Sequence, residues 1–153
     1  MTKYEELEEE AREKGLIVLE LPLQHSDGMI RGEKIGIRKG QSTTEKTCVL
    51  AEEIAHADLT VGNILDQSDA RNRRQERLAR AQAYDRLIGI SRLVSAIQSG
   101  HREKYEIADY LGVTEPFLQE AIERYKEHYG LMVRFGDYIV QFEPWVTVIE
   151  MII

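Results

Sequence analysis

The chain has 153 residues, of which 20 are Lys or Arg and 27 are Asp or Glu, so its formal charge is −7. With 42% hydrophobic and 31% charged residues, its composition excludes disordered and fibrous proteins. The single Cys48 excludes an internal disulfide and most cysteine-rich zinc modules. Because no apolar run approaches the ~20 residues of a membrane span, we expect a cytoplasmic protein without a membrane partner. The negative charge disfavours bulk nucleic-acid binding.

The first part of the chain predicts a helix followed by a small sheet. Residues 2–14 have apolar positions at helical spacing, and Gly15 stands where a C-terminal cap is expected. Three short β-type runs follow, at residues 16–21, 29–31 and 35–38. The expected fold class is therefore α+β, with a small, mostly antiparallel sheet packed on helices.

The remainder of the chain predicts helices and a final hairpin. A capping-box spacing at residues 42–45 starts a helix that contains the next apolar stretch. The later elements are predicted helices at residues 69–88, 92–98, 105–111 and 115–129, and a hairpin around Gly136–Asp137. The apolar end, residues 144–153, predicts either a final strand or a self-association surface, which would make the protein a homo-oligomer.

Residues 106–114 follow the pattern of a helix-turn-helix. A DNA-binding helix-turn-helix needs basic or amide side chains at the start of its second helix, but residues 115–120 carry two glutamates, no basic residue and a single amide, Gln119. Phosphate would be repelled there. We therefore interpret this segment as a helix-turn-helix shape used for packing or protein docking.

The first central helix carries Glu52, Glu53 and His56 on one face, opposite its apolar face. A ligand pair four residues apart, Glu52 and His56, with Glu53 beside it matches the geometry of the H-E-x-x-H zinc helix. In this chain Glu52 replaces the first histidine of that motif. The motif alone favours a solvated acidic face with one exposed histidine, and the metal site stays open as the second interpretation.

The second central helix carries Glu76 in line with Ala79 and Ala83, which predicts that this carboxylate faces the core. A buried carboxylate needs an ion pair or a cation. One interpretation is a salt bridge to an arginine of the same helix, such as Arg73 or Arg80. The other is a third metal ligand that reaches across to His56.

Residues 45–88 resemble the ImmA/IrrE family of metallopeptidases, especially its phage and mobile-element branch. The similar motifs are the helix with E-E-x-x-H, the loop Gly62–Leu65 and the Q-E-x-x-A motif at Gln75–Ala79. The tail, residues 105–130, is similar to the C-terminal helical part of the same proteins. The resemblance thus extends over nearly the whole chain.

The resemblance implies a role for each residue of this cluster. Glu53 would be the general base and acid, His56 a zinc ligand and Glu76 the acidic ligand, while Glu52 occupies the position of the first histidine ligand. The implied set of one imidazole and two carboxylates is harder than a histidine-rich set. It would hold Zn²⁺ or another divalent ion such as Mn²⁺.

The resemblance also implies an organisation and a function. Residues 1–90 would form a zincin-like metallopeptidase core, and residues 91–153 a helical, winged-helix-like region packed on it. The implied activity is a metal-dependent endopeptidase, with the helix-turn-helix repressor of a phage or integrative element as protein substrate. The alternatives are a catalytically inactive binding protein of the same fold that docks a repressor, and a winged-helix DNA-binding protein.

Overall fold

The computed structural model describes residues 1–59 and 69–152, with only the backbone for residues 69–72. Within these residues the helices are α1 (Lys3–Glu13), α2 (Thr43–Leu59), α3 (Asp69–Leu87), α4 (Gly89–Gln98), α5 (Lys104–Leu111) and α6 (Glu115–Tyr129). The strands are β1 (Ile17–Leu21), β2 (Gly28–Arg31), β3 (Lys34–Arg38), β4 (Met132–Phe135), β5 (Tyr138–Gln141) and β6 (Thr147–Glu150). The α+β class is confirmed.

The chain divides into two compact units, Met1–Ala83 and Tyr84–Ile153. The predicted functional division, with a core over residues 1–90 and a tail over residues 91–153, stays a prediction. Among the described residues, no helix combines the length and apolarity needed to cross a membrane.

The first unit begins with α1, which packs against α2 and β1. A capping box between Thr2 and Glu5 starts the helix, since each side chain accepts a hydrogen bond from the other residue's backbone amide. The buried side chains of α1 are Tyr4, Leu7 and Ala11. Their i, i+3, i+7 spacing forms one apolar stripe, so the glutamates of the helix remain outside the core.

The sheet of the first unit has the order β1-β3-β2. β2 and β3 form an antiparallel hairpin, whose turn contains Gly32 with a φ of 61°. β1 lies on the other side of β3 and runs parallel to it, so the sheet is mixed rather than mostly antiparallel. Ile35 and Ile37 of the central strand are fully buried, and this strand packs on α2.

α2 begins at a second capping box, in which Ser42 and Glu45 exchange side-chain hydrogen bonds with each other's backbone amides. Its apolar side is fully buried, including Leu50, Ala51 and Ile54. The opposite side, which carries the acidic residues and His56, is half-buried and packs near β2. Burial of the first side therefore fixes the orientation of the second.

The second unit contains α4, α5, α6 and an antiparallel sheet of order β4-β5-β6. α5 and α6 form the predicted helix-turn-helix shape, with Gly112 in the left-handed region at φ 72° and Thr114 capping α6. α4 begins at Gly89, earlier than the predicted residue 92, because the Tyr125 hydroxyl accepts the Gly89 amide at 3.1 Å. The apolar end of the chain, for which the sequence predicts either a final strand or a self-association surface, contributes the strand β6.

Candidate active site

α2 and α3 bring His56 and Glu76 together. The Nε2 atom of His56 lies 3.3 Å from the Oε1 atom of Glu76. The His56 side chain is 17% exposed and that of Glu76 is 51% exposed. The prediction that Glu76 faces the core is therefore wrong, although Ala79 and Ala83 on the same helix are fully buried. Glu76 lies one turn before this buried stripe, at the margin of the helix contact.

Glu53 carries a strongly perturbed carboxyl group. Burial, and to a lesser extent the neighbouring carboxylates of Glu52 and Glu76, together raise its pKa to about 7. A carboxyl group with such a pKa is partly protonated at neutral pH. It can therefore both accept and donate a proton near neutrality, which is the property that a general base and acid requires.

The edge strand β2 approaches Glu53 at Gly28. A Cβ built on this glycine would lie 3.2 Å from the Glu53 Oε1 atom and 2.4 Å from the Cγ1 atom of Val49. Only a residue without a side chain fits at this distance. Sequence reasoning did not single out Gly28, although a glycine at the start of a strand is a known mark of a close approach.

Asp58, two residues after His56, joins three helices of the first unit. Both of its carboxylate oxygens lie 2.8 Å from the Nζ atom of Lys14, the C-cap residue of α1, and the Gln82 side chain of α3 donates to Oδ2 at 2.9 Å. These bonds hold α3 beside the half of α2 that carries the acidic cluster. Sequence reasoning missed Asp58, because partners 44 and 24 residues away leave no local pattern.

The side chains of this region include two donors of the types that bind a divalent cation. His56 and Glu76 present an imidazole nitrogen and a carboxylate oxygen close together, and Glu52 lies one turn before His56 on the same helix face. However, the described residues contain no group of three His, Cys, Asp or Glu side chains already arranged around one point. The predicted motif Gly62–Leu65 lies outside the described residues. The structure therefore brings together two of the predicted ligands.

The chain matches a known protein family over most of its length. The sequence pattern of the peptidase M78 family, described as the IrrE N-terminal-like domain, matches residues 11–123, about three quarters of the chain. No curated protein sequence matches the chain. The matched range contains both central helices with His56, Glu76 and Glu53. A peptidase family of this kind implies a protein substrate and a divalent metal. The chain therefore belongs to the M78 peptidase family.

Proposed function

We propose that this protein is a metal-dependent endopeptidase whose active site is the cluster between α2 and α3. The observation that carries the proposal is the 3.3 Å approach of His56 Nε2 to Glu76 Oε1 within a chain of a peptidase family. These two atoms come from different helices, and both are of the types that bind zinc and similar ions.

His56 and Glu76 would hold the ion, and Glu52 would be the third ligand. A divalent cation is favoured here because three carboxylates lie near one another, as the raised pKa of Glu53 indicates. The set contains one imidazole and two carboxylates, so Zn²⁺ and Mn²⁺ are the two candidate ions. A bound ion would act as a Lewis acid towards the peptide carbonyl and the attacking water.

Glu53 would perform the proton transfers of the reaction. Its carboxylate would take a proton from the attacking water and deliver a proton to the leaving amine. In the metal-free chain, burial and the acidic neighbours raise the pKa of this carboxyl group to about 7. Gly28 keeps β2 against this carboxyl group, so the side chain has a wall on one side.

The substrate that we propose is a helix-turn-helix repressor of a phage or integrative element, cleaved so that the element is derepressed. This part rests on the resemblance of residues 45–88 and 105–130 to the phage and mobile-element branch of the ImmA/IrrE family. The match to the M78 peptidase family supports a protein substrate in general.

Metal binding tests the first half of the proposal. Chelator-treated protein is titrated with Zn²⁺ and with Mn²⁺ by calorimetry, and we expect saturation with a single ion per chain. His56→Ala and Glu76→Ala should each weaken binding about tenfold or more. His128→Ala is the matched control, because this exposed histidine belongs to α6, which carries none of the proposed ligands. Equal weakening by His128→Ala, or no binding at all, would contradict a metal centre at this position.

Cleavage tests the second half. The metal-loaded protein is incubated with the helix-turn-helix repressor of the element that encodes it, and the products are identified by mass spectrometry. Glu53→Gln should abolish cleavage while the circular dichroism spectrum and metal binding are retained. Full activity of Glu53→Gln would refute the role of Glu53 as the base.

A second candidate function is a catalytically inactive protein of this fold that docks a repressor. Two observations favour it: Glu52 replaces the first histidine of the zinc motif, and the described residues lack a ready three-ligand group. This candidate predicts that the repressor binds and remains intact after long incubation with either ion. Cleavage that depends on Glu53 would eliminate it.

A further inference from the structure

The second unit contains a cavity of about 470 Å³ beside β6. It lies between this strand, the C-terminal end of α4 and the turn that follows α4, and its polar wall includes His101, Arg102 and Thr147. The volume falls in the range of about 300–1,000 Å³ that ligand pockets occupy. Among the described residues, no aspartate or glutamate lines the cavity, although the chain as a whole carries a charge of −7. The one fully charged residue in this described lining is the cation Arg102.

The Trp145 ring forms a fixed apolar wall of this cavity. Its Nε1 atom donates to the carbonyl oxygen of Arg102 at 3.1 Å, which fixes the plane of the indole. The Lys104 Nζ atom lies 5.5 Å from the indole ring centroid and adds a second positive charge near this wall. No ion pair between described residues involves Arg102. An aromatic surface flanked by two cations favours a ligand with both apolar and anionic groups.

The third wall is the edge of a sheet. Within the part of the chain that the structure describes, β6 pairs only with β5, and Val140 lies opposite Val148. The Met151 amide donates to the Asp137 carbonyl, so these two opposite residues form a hydrogen-bonded pair. Because hydrogen-bonded and non-hydrogen-bonded pairs alternate along an antiparallel ladder, Ile139 with Ile149 is the next hydrogen-bonded pair, and Val140 with Val148 is a non-hydrogen-bonded pair. The backbone N–H and C=O of Val148 therefore point away from β5. Because Val148 also lines the cavity, these groups are available to a ligand beside the strand.

We propose that this cavity binds an extended peptide segment that adds as a strand to β6 and places an acidic side chain against Arg102. The edge of β6 supplies main-chain hydrogen bonds, as in other cases of strand addition to a sheet edge. The planar guanidinium of Arg102 is suited to two parallel hydrogen bonds with a carboxylate. The indole of Trp145 provides apolar contact for a neighbouring side chain of the peptide.

The proposal does not depend on the peptidase activity. All residues that carry it belong to the unit Tyr84–Ile153, and none belongs to the acidic cluster of the first unit. A failure of the metal-binding experiment therefore leaves this binding site unaffected. Equally, an absence of peptide binding here would leave the proposed active site as it stands.

The experiment uses the full chain and synthetic hexapeptide pools in which one position is fixed as Glu or as Lys. Trp145 is the single tryptophan, so its fluorescence reports directly on the cavity. We expect the Glu pools to bind about tenfold more tightly than the Lys pools, with NMR shifts of the Val148 amide and the Trp145 indole. N-methylation of alternate residues of the best peptide should abolish binding, because it removes the main-chain donors of the added strand.

Charge reversal at Arg102 provides the decisive variant. Arg102→Glu should invert the preference, so that the Lys pools bind more tightly than the Glu pools. Arg134→Glu is the matched control, because this exposed arginine lies on β4 at the opposite edge of the same sheet. Equal binding of both pools to the unaltered chain, or a preference that Arg102→Glu leaves unchanged, would overturn the proposal.

Discussion

Gly28 and Glu53 approach each other so closely that a single added methyl group would lie 3.2 Å from the carboxylate oxygen. The two residues belong to the edge strand β2 and to α2. The same methyl group would lie only 2.4 Å from Val49 Cγ1, a distance that carbon atoms do not adopt without a shift of one partner. The absence of a side chain at residue 28 therefore determines how near β2 can come to the proposed base.

Gly28→Ala should therefore destabilise the protein and displace Glu53. We expect a loss of about 1–3 kcal/mol in the free energy of unfolding, which is typical of overpacking at a close contact. Urea denaturation followed by circular dichroism measures it. If the protein is a peptidase, the same variant should also lower kcat, because the position of the base changes.

The double variant Gly28→Ala/Val49→Ala tests the cause. Removing Cγ1 of Val49 relieves the closest contact, so the double variant should be less sensitive to the added methyl than the single variant is. Comparing Val49→Ala with and without the Gly28 change gives the coupling. Strictly additive effects of the two substitutions would contradict a steric origin.

The raised pKa of Glu53 predicts a pH-dependent stability of the metal-free protein. The pKa is about 7 in the folded chain against 4.5 for an unperturbed glutamate, so the folded state binds more protons. Protonated Glu53 therefore makes its full contribution to the free energy of unfolding below pH 4.5, and this contribution is lost as the pH rises through 7. Glu53→Gln does not titrate, so its stability relative to the original chain should rise over this window by at most about 3 kcal/mol.

Denaturant unfolding in the presence of a chelator, at several pH values between 4 and 8, measures this difference. Glu9→Gln on α1 is the control, because it makes the same substitution at an exposed glutamate outside the cluster. A constant difference between Glu53→Gln and the original chain over the whole window would rule out the perturbed carboxyl group.

Much of the fold could be predicted because local signals mark the ends of its elements. α6 runs from Glu115 to Tyr129 as predicted, since Thr114 caps its start and Gly130 ends it. The parallel pairing of β1 with β3 could not be predicted in this way. It depends on which side of the β2–β3 hairpin the first strand joins, and the residues of a five-residue strand do not encode that choice.

In the candidate site, too, the features set by helical spacing could be predicted, and those set by tertiary packing could not. Helical spacing alone puts Glu52, Glu53 and His56 on one face of α2, and the structure has them there. The exposure of Glu76 was missed, because the buried alanines after it suggested a stripe that includes Glu76, whereas the buried stripe begins only at Ala79. The roles of these residues as ligands and base stay predictions. The contacts of Gly28 and Asp58 depend on tertiary packing and have no sequence signature.

Asp58 should contribute to the stability of the first unit through its bonds to Lys14 and Gln82. Asp58→Asn keeps an acceptor for Gln82 but removes the charge that faces the ammonium group, and we expect a loss of about 1 kcal/mol. Asp27→Asn is the matched control: its partner is Arg38, and the Asp27 side chain is 64% exposed against 28% for Asp58. The control should therefore show a smaller loss in the same urea experiment. Equal losses would mean that the Asp58 network adds nothing beyond a surface ion pair.

Tyr125 should act as the N-terminal cap of α4. The residue before this helix, Ile88, has no side chain that can cap it, and the buried Tyr125 hydroxyl accepts the Gly89 amide instead. Burial and the neighbouring Asp85 carboxylate raise the pKa of this hydroxyl, so it stays protonated and can also donate to Asp85. Tyr125→Phe leaves the helix amide unsatisfied and should cost about 1–2 kcal/mol. Tyr129→Phe, at an exposed ring one turn later on α6, should change the stability little, and a similar loss in both variants would show that the hydroxyl of Tyr125 is not the cap.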